Sequence, residues 1–104
     1  MTFSEYVIKL ALMIPVGRVT TYGRIAKAAG GGAMASQSIT GILAKAYNEG
    51  IKDIPFHRIV YADGRVWIDN VHKKERMRLY KKEGIVLDKN NKIQDFDDVV
   101  FEFK

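Results

Sequence analysis

The sequence has no cysteine, only two prolines and a single tryptophan among its 104 residues. Without a thiol, the chain forms no disulfide, offers no cysteine ligand to zinc and cannot carry out thiol-based group transfer. Long apolar runs are also missing, since none approaches the roughly 20 residues of a membrane-spanning helix. The amino-terminal segment lacks the basic stretch and small-residue cleavage site of a signal peptide. We therefore expect a soluble protein that works in the cytoplasm.

Basic residues outnumber acidic ones, with 17 Lys and Arg against 12 Asp and Glu and a formal net charge of +5. A positive surface attracts polyanions, most often nucleic acid. Charge alone fits a well-solvated basic surface equally well, so both interpretations stay open. The length suits one domain, residues 1–104. No carboxylate cluster frames His57 or His72, so we expect no metal site and no cofactor.

Two helices joined by a glycine-rich turn form the centre of the predicted fold. Thr21 is a good cap for the first of them, which the glycines at 30–32 terminate. The second spans about residues 34–48, and an earlier helix is predicted over residues 3–14 by its apolar spacing. Two helices around a glycine turn are typical of a helix-turn-helix motif.

One face of the helix at 34–48 is small and uncharged. Gln37, Thr40, Gly41 and Ala44 share this face at i, i+3, i+4 and i+7. A face without bulk lets the helix backbone approach another surface closely, either a DNA minor groove or another part of the fold. Readers of the major groove usually present Arg, Asn or Gln repeatedly on such a face, which makes a sequence-specific regulator the less favoured alternative.

The remaining half of the chain mixes short strands with one charged helix. A strand is predicted at 58–61, followed by an Ala-Asp-Gly turn and a returning strand at 65–68. A helix over 71–83 ends at Gly84, and a last strand is predicted near 99–103.

Two segments of the chain, taken in this order, resemble the DNA-binding domain of O6-alkylguanine-DNA alkyltransferases. They are IPVGRVTTYGRIAKAAG and SITGILAKAYNEGIKDIPFHRIVYADG. In those enzymes the second segment reads Pro-Cys-His-Arg, and its cysteine accepts the alkyl group. This chain has Phe56 at that position. The closer resemblance is to alkyltransferase-like proteins, which consist of this domain alone and carry an aromatic residue in place of the cysteine.

The resemblance implies a mostly α domain with short β elements, a single helix-turn-helix (winged-helix-like) domain as in the C-terminal domain of the alkyltransferases. It implies a non-enzymatic sensor that docks in the minor groove of duplex DNA, flips O6-alkylguanine and flags it for nucleotide excision repair proteins. We expect a monomer, associated with the nucleoid through DNA. The alternatives are a winged-helix regulator that reads sequence and, less favoured, an enzyme that uses His57 and Glu83.

Individual residues follow from the match. Tyr22 would rotate the nucleotide out, and Phe56 would line the base pocket, which comprises Tyr22, Phe56, His57, Arg58, Trp67 and Asp69. Residues expected to contact DNA lie at the start of the second helix or on the third: Thr20, Thr21, Tyr22, Ser36, Gln37, Ser38, Thr40, Gly41, Ala44 and Lys45. A supporting hydrogen-bond network would join Asn48, His57 and Glu83.

Gln37 is a departure from the family pattern, which has an arginine that enters the base stack at this position. Glutamine can hydrogen-bond an orphaned cytosine, but it lacks the cation and the stacking plane of guanidinium. We therefore expect weaker binding or less complete flipping. Other candidates for phosphate contacts are Arg18, Arg24, Lys27 and Lys52.

Overall fold

The structure, a computed structural model, describes residues 1–32 and 34–103. Within these two ranges, five helices and two very short strands follow one another: α1 (Phe3–Leu12), β1 (Thr20–Thr21), α2 (Tyr22–Ala28), α3 (Ile39–Asn48), β2 (Ile59–Val60), α4 (Lys73–Glu83) and α5 (Phe96–Val99). Single 3-10 turns at Ala35–Ser38 and Phe56–Arg58 precede α3 and β2. Within the described ranges, no helix has the length and apolar character needed to cross a bilayer.

Local signals at the helix ends act as the sequence predicts. The Thr21 hydroxyl accepts a hydrogen bond from the Arg24 backbone N–H at 3.2 Å and so caps α2. Thr2 and Glu5 form a reciprocal capping box at the start of α1. Gly84 ends α4 in the left-handed conformation, with φ of 75°, where a side chain would be strained. The predicted mostly helical domain with short strands is confirmed.

Two hydrophobic clusters support the fold. The first lies between α1, α2 and α3 and is centred on Val7, Ile25 and Leu43, all buried. The second lies beneath α4 and includes Val60 and Tyr80. The parallel pair β1–β2 runs between the two clusters. This pairing brings the start of α2 beside the segment that carries Phe56.

The predicted hairpin after residue 58 is wrong beyond its turn. The Tyr61 N–H donates to the Arg65 carbonyl at 3.0 Å and closes the turn. Arg65 then pairs antiparallel with Lys92, while β2 pairs with β1 instead. The alternation of apolar residues along a strand does not show which distant segment of the chain will pair with that strand.

Two further boundaries differ from the prediction. The helix predicted from 34 begins as the 3-10 turn Ala35–Ser38, in which the Ser38 hydroxyl bonds back to the Ala35 carbonyl at 2.7 Å, and becomes α-helical only at Ile39. The strand predicted near 99–103 is reduced, among the described residues, to a parallel bridge of Val100 with Val19, and Val99 instead ends α5.

Candidate base pocket and nucleic-acid interface

A pocket of about 310 Å³ opens where the starts of α2 and α3 approach α4. Its lining is mainly aromatic and comprises Tyr22, Thr40, Phe56, Tyr61, Trp67 and Arg76. The rings of Tyr22 and Tyr61 lie 5.8 Å apart between centroids. Flat apolar walls with a few polar groups are typical of sites that hold small planar ligands. A purine base has the size and shape for such a pocket.

The β1–β2 register builds this pocket. Thr21 is aligned with Val60, so Tyr22 and Tyr61, the residues that directly follow the two strands, lie side by side. Phe56 enters from the 3-10 turn that precedes β2 and is half-buried. Its ring packs edge-on against Tyr47 of α3, with 5.9 Å between centroids. Phe56 is thereby a fixed wall of the pocket.

Phe56 also borders a second cavity of about 500 Å³ on its other side. This cavity lies between α3 and α4, and Tyr47, Lys52 and His57 contribute to its lining. Of the residues that the structure describes, only Phe56 and Arg76 line both cavities. The phenyl ring and the guanidinium therefore mark the boundary between the two spaces.

A buried carboxylate behind the pocket holds the turn in place. The Glu83 side chain accepts from Arg58 Nε at 3.0 Å, from Arg58 Nη2 at 2.9 Å and from the Gly17 N–H at 3.0 Å. His57 Nε2 lies 2.6 Å from Glu83 Oε2. Burial acts to raise the pKa of Glu83, but these donors outweigh it and lower the pKa to about 2.

His57 pairs with the Glu83 carboxylate through Nε2. Burial lowers its pKa, and the hydrogen bond and charge of Glu83 only partly oppose that effect. Because an ionised carboxylate can only accept, His57 Nε2–H is the donor of the hydrogen bond to Glu83. Tyr80 donates its hydroxyl to the His57 carbonyl at 2.6 Å. The cluster joins the 3-10 turn to α4 and, through Arg58 Nη1 and the Ile14 carbonyl, to the end of α1.

Residues 2–85 match the sequence family described as the 6-O-methylguanine DNA methyltransferase, DNA binding domain. The chain belongs to this family. The resemblance stated from the sequence motifs is therefore confirmed. No significant match was found among curated proteins.

Two solved structures share the fold of this methyltransferase-family domain. S. pombe Atl1 in complex with damaged DNA containing O6-carboxymethylguanine superposes with a TM-score of 0.73 at 18% sequence identity, covering 97% of this chain and 95% of that chain. S. pombe ATL in complex with DNA gives a TM-score of 0.72 at 22% identity with the same coverage. The likeness extends over the whole helix-turn-helix domain.

The pocket residues expected from the family motifs separate into two groups in the structure. Tyr22, Phe56 and Trp67 meet in the 310 Å³ pocket. Arg58 lies in the Glu83 cluster and is not among the pocket-lining residues, whereas His57 lines the second cavity. Asp69 also lies outside the lining, because its carboxylate accepts from the His72 N–H at 2.6 Å and contacts His72 Nδ1 at 3.0 Å.

The expected DNA-contacting face of α3 is open to solvent. Exposed side chains or backbone on it include Gln37, Ser38, Thr40, Gly41, Ala44 and Lys45, with Ser36 half-buried beside them. Thr20 and Thr21 are buried, however, and their hydroxyls bond the Phe101 carbonyl and the Arg24 N–H. The structure therefore does not offer either hydroxyl to a phosphate.

Arg24 and Asn48 make contacts other than those expected from the sequence. Arg24 Nε forms a salt bridge with Glu102 at 2.7 Å, so the tail partly neutralises this cation. Asn48 lines the second cavity, and no side-chain hydrogen bond joins it to the Phe56 turn among residues 1–32 and 34–103. Of the network predicted from the family, the His57–Glu83 pair is present.

Tyr61 and Arg76 are pocket residues that the sequence analysis missed. Tyr61 stands in an unremarkable strand end, and only the register with β1 places it beside Tyr22. Arg76 belongs to a helix whose many charges resemble a solvated surface. Its guanidinium carbon lies 5.6 Å from the centre of the Trp67 ring, which holds it at the pocket.

Proposed function

We propose that this chain binds O6-alkylguanine in duplex DNA, holds the extruded base in the 310 Å³ pocket and does not repair it. The observation that carries the proposal is the position of Phe56. It replaces the cysteine of the Pro-Cys-His-Arg motif, and its ring lies on the pocket wall. A carbon wall contacts an alkyl group but cannot accept it.

The pocket lining supports a flipped purine as the ligand. Tyr22, Tyr61 and Trp67 offer ring faces or edges, and contacts between a base and an aromatic side chain contribute about 1–3 kcal/mol each in other nucleic-acid complexes. Burial raises the pKa of Tyr22, so its hydroxyl stays neutral and able to donate a hydrogen bond. A neutral hydroxyl also avoids repulsion from the nearby phosphates.

The open face of α3 supports docking in the minor groove. Thr40 is exposed on this face and also lines the pocket, so the helix face and the pocket are continuous. Small residues on a docked helix permit the close backbone approach that base extrusion requires. S. pombe Atl1, which shares the fold, was crystallised on damaged DNA containing O6-carboxymethylguanine. That complex supports the same use of the fold here.

Lesion binding without repair gives the chain the role of a sensor. A bound, uncorrected O6-alkylguanine remains in the DNA, and the complex flags it for nucleotide excision repair proteins. The basic composition, at +5, favours a location on the nucleoid. His57 and Glu83 serve in this proposal as structural support for the Phe56 turn.

Fluorescence anisotropy with two matched duplexes tests the proposal. One duplex carries a single O6-methylguanine, the other guanine at the same position, and both are titrated across a salt series. We expect tighter binding to the damaged duplex, with a preference that persists as salt weakens both complexes. Equal affinity for both duplexes would reject the lesion pocket and favour the alternative of a winged-helix regulator, which selection of a preferred sequence from random duplexes would then identify.

A further inference from the structure

Arg76 is a cation placed at the boundary of the two cavities. It is half-buried on α4 and contributes to the lining of both the 310 Å³ pocket and the 500 Å³ cavity. The Trp67 ring, 5.6 Å from its guanidinium carbon, supports one side of the side chain. Across the boundary stands Phe56, the wall that faces the O6 substituent in the proposed complex.

The carboxylates of Glu75 and Asp69 are bound by partners other than Arg76. Glu75 is bound by Arg78, with Nη2 at 2.6 Å from Oε1 and Nε at 3.1 Å from Oε2. Asp69 accepts from the N–H and the ring nitrogen of His72. Within the part of the chain that the structure describes, no carboxylate forms a salt bridge with Arg76. Its guanidinium is therefore not held in an ion pair within these residues.

The second cavity has further positive charge. Lys52 lines it and is held by its hydrogen bond to the Tyr47 carbonyl at 2.8 Å and by the Tyr47 ring, whose centre is 3.9 Å from Nζ. The acidic lining residue is Glu75, which Arg78 neutralises. An anionic group that passes Phe56 would therefore meet two cations, Arg76 and Lys52. Among the lining residues that the structure describes, it would meet no carboxylate outside an ion pair.

We propose that Arg76 selects O6 substituents that carry a carboxylate and binds that carboxylate where the two cavities meet. The inference rests on the proposed function, because it requires the guanine to occupy the pocket. A planar guanidinium offers a carboxylate two parallel donors, and such charge-assisted pairs are stronger than neutral hydrogen bonds. A carboxylate taken from water without such a partner would instead weaken binding.

Three duplexes that differ at one base test this selectivity: O6-carboxymethylguanine, its neutral isostere O6-carbamoylmethylguanine, and guanine. The two adducts have nearly the same size, so a difference between them reports charge. We expect the carboxymethyl duplex to bind about tenfold more tightly than the carbamoylmethyl duplex, the order of one charge-assisted hydrogen bond. Equal affinities for the two adducts would overturn the inference.

Arg76→Met should abolish the preference for the carboxymethyl duplex while still favouring either adduct over guanine. Lys82→Met, the matched control, removes one positive charge from an exposed position of the same helix that lines neither cavity, and should preserve the preference. A preference that survives in Arg76→Met would also overturn the inference. If the wild-type protein binds the two adducts with equal affinity, but both more tightly than guanine, this inference is rejected and the proposed function is not. Equal binding to all three duplexes would reject the proposed function itself.

Discussion

Arg58 and Glu83 form a two-point ion pair, with Nε–Oε1 at 3.0 Å and Nη2–Oε2 at 2.9 Å, behind the turn that carries Phe56. Their side chains are 16% and 5% exposed, so solvent screens the pair little. The same carboxylate receives His57 and the Gly17 N–H. One buried anion therefore fixes three segments of the chain around the back of the pocket.

Glu83→Gln should destabilise the protein by about 3 kcal/mol, because it leaves the buried charge of Arg58 without its partner. The loss is measured by urea denaturation at pH 7. Glu75→Gln breaks an ion pair with Arg78 in which both side chains are 59% exposed, and should change stability far less, because water screens an exposed pair. Similar losses in the two variants would contradict the role given to the buried cluster.

Stability should fall as the pH is lowered, in two stages. The pKa of His57 is lowered in the folded protein, so the unfolded chain binds the extra proton first as pH falls below about 6.5. Glu83 has a folded pKa of about 2 against an ordinary value of 4.5, so its contribution is complete above about pH 4.5 and is lost as pH falls towards 2. Urea midpoints measured at steps from pH 7 to pH 3 test both stages. In Glu83→Gln the second stage should shrink, and an unchanged acid transition would show that other carboxylates cause it.

Phe56→Ala should weaken binding to an O6-methylguanine duplex by about 5- to 100-fold, the range expected for one lost base–aromatic contact. Binding to the unmodified duplex should change little, because the pocket is then empty. Anisotropy on both duplexes gives the two numbers. Phe96→Ala, a half-buried phenylalanine outside the pocket lining, is the control for general loss of packing. Equal weakening on both duplexes by Phe56→Ala would make Phe56 a core residue only.

Gln37→Arg should tighten binding to the lesion duplex several-fold, because a guanidinium both stacks on and hydrogen-bonds the unpaired cytosine. Gln37 is exposed on the 3-10 turn that leads into α3, so the longer side chain meets no packed neighbour there. Ser38→Arg adds the same charge at the next exposed position and controls for general attraction to phosphate. If both variants gain the same affinity for damaged and for unmodified DNA, the side chain at position 37 does not reach the space that the flipped base leaves.

The sequence predicted the helical parts of the fold well, because their signals are local. Thr21 as cap and Gly84 as terminator are decided by the residues next to them in the chain. The strands were harder. Arg65 pairs with Lys92 and Val100 with Val19, and neither partner is visible in the alternation of nearby side chains. These two bridges and α5 therefore escaped prediction.

For the candidate site as well, the sequence predicted some residues correctly and missed others. Tyr22 and Phe56 were found because they stand in recognisable motifs, whereas Thr20 and Thr21 proved to use their hydroxyls inside the fold. Arg76 escaped notice because α4 has charges on most of its positions, and spacing along a helix does not say which of them meets a neighbouring element.

The amino-acid sequence by itself determined that this chain has no thiol and which family it belongs to. A chain without cysteine has no thiol to accept an alkyl group, whatever its fold, and the ordered motifs around Tyr22 and Phe56 establish the family. Only the tertiary structure decided which charges are available. Glu83 forms a salt bridge with Arg58, Arg24 forms one with Glu102, and Glu75 forms one with Arg78. Arg76 instead faces the cavities. The physical reason is that an ion pair depends on distances of a few ångströms between side chains, and the folded backbone alone sets them.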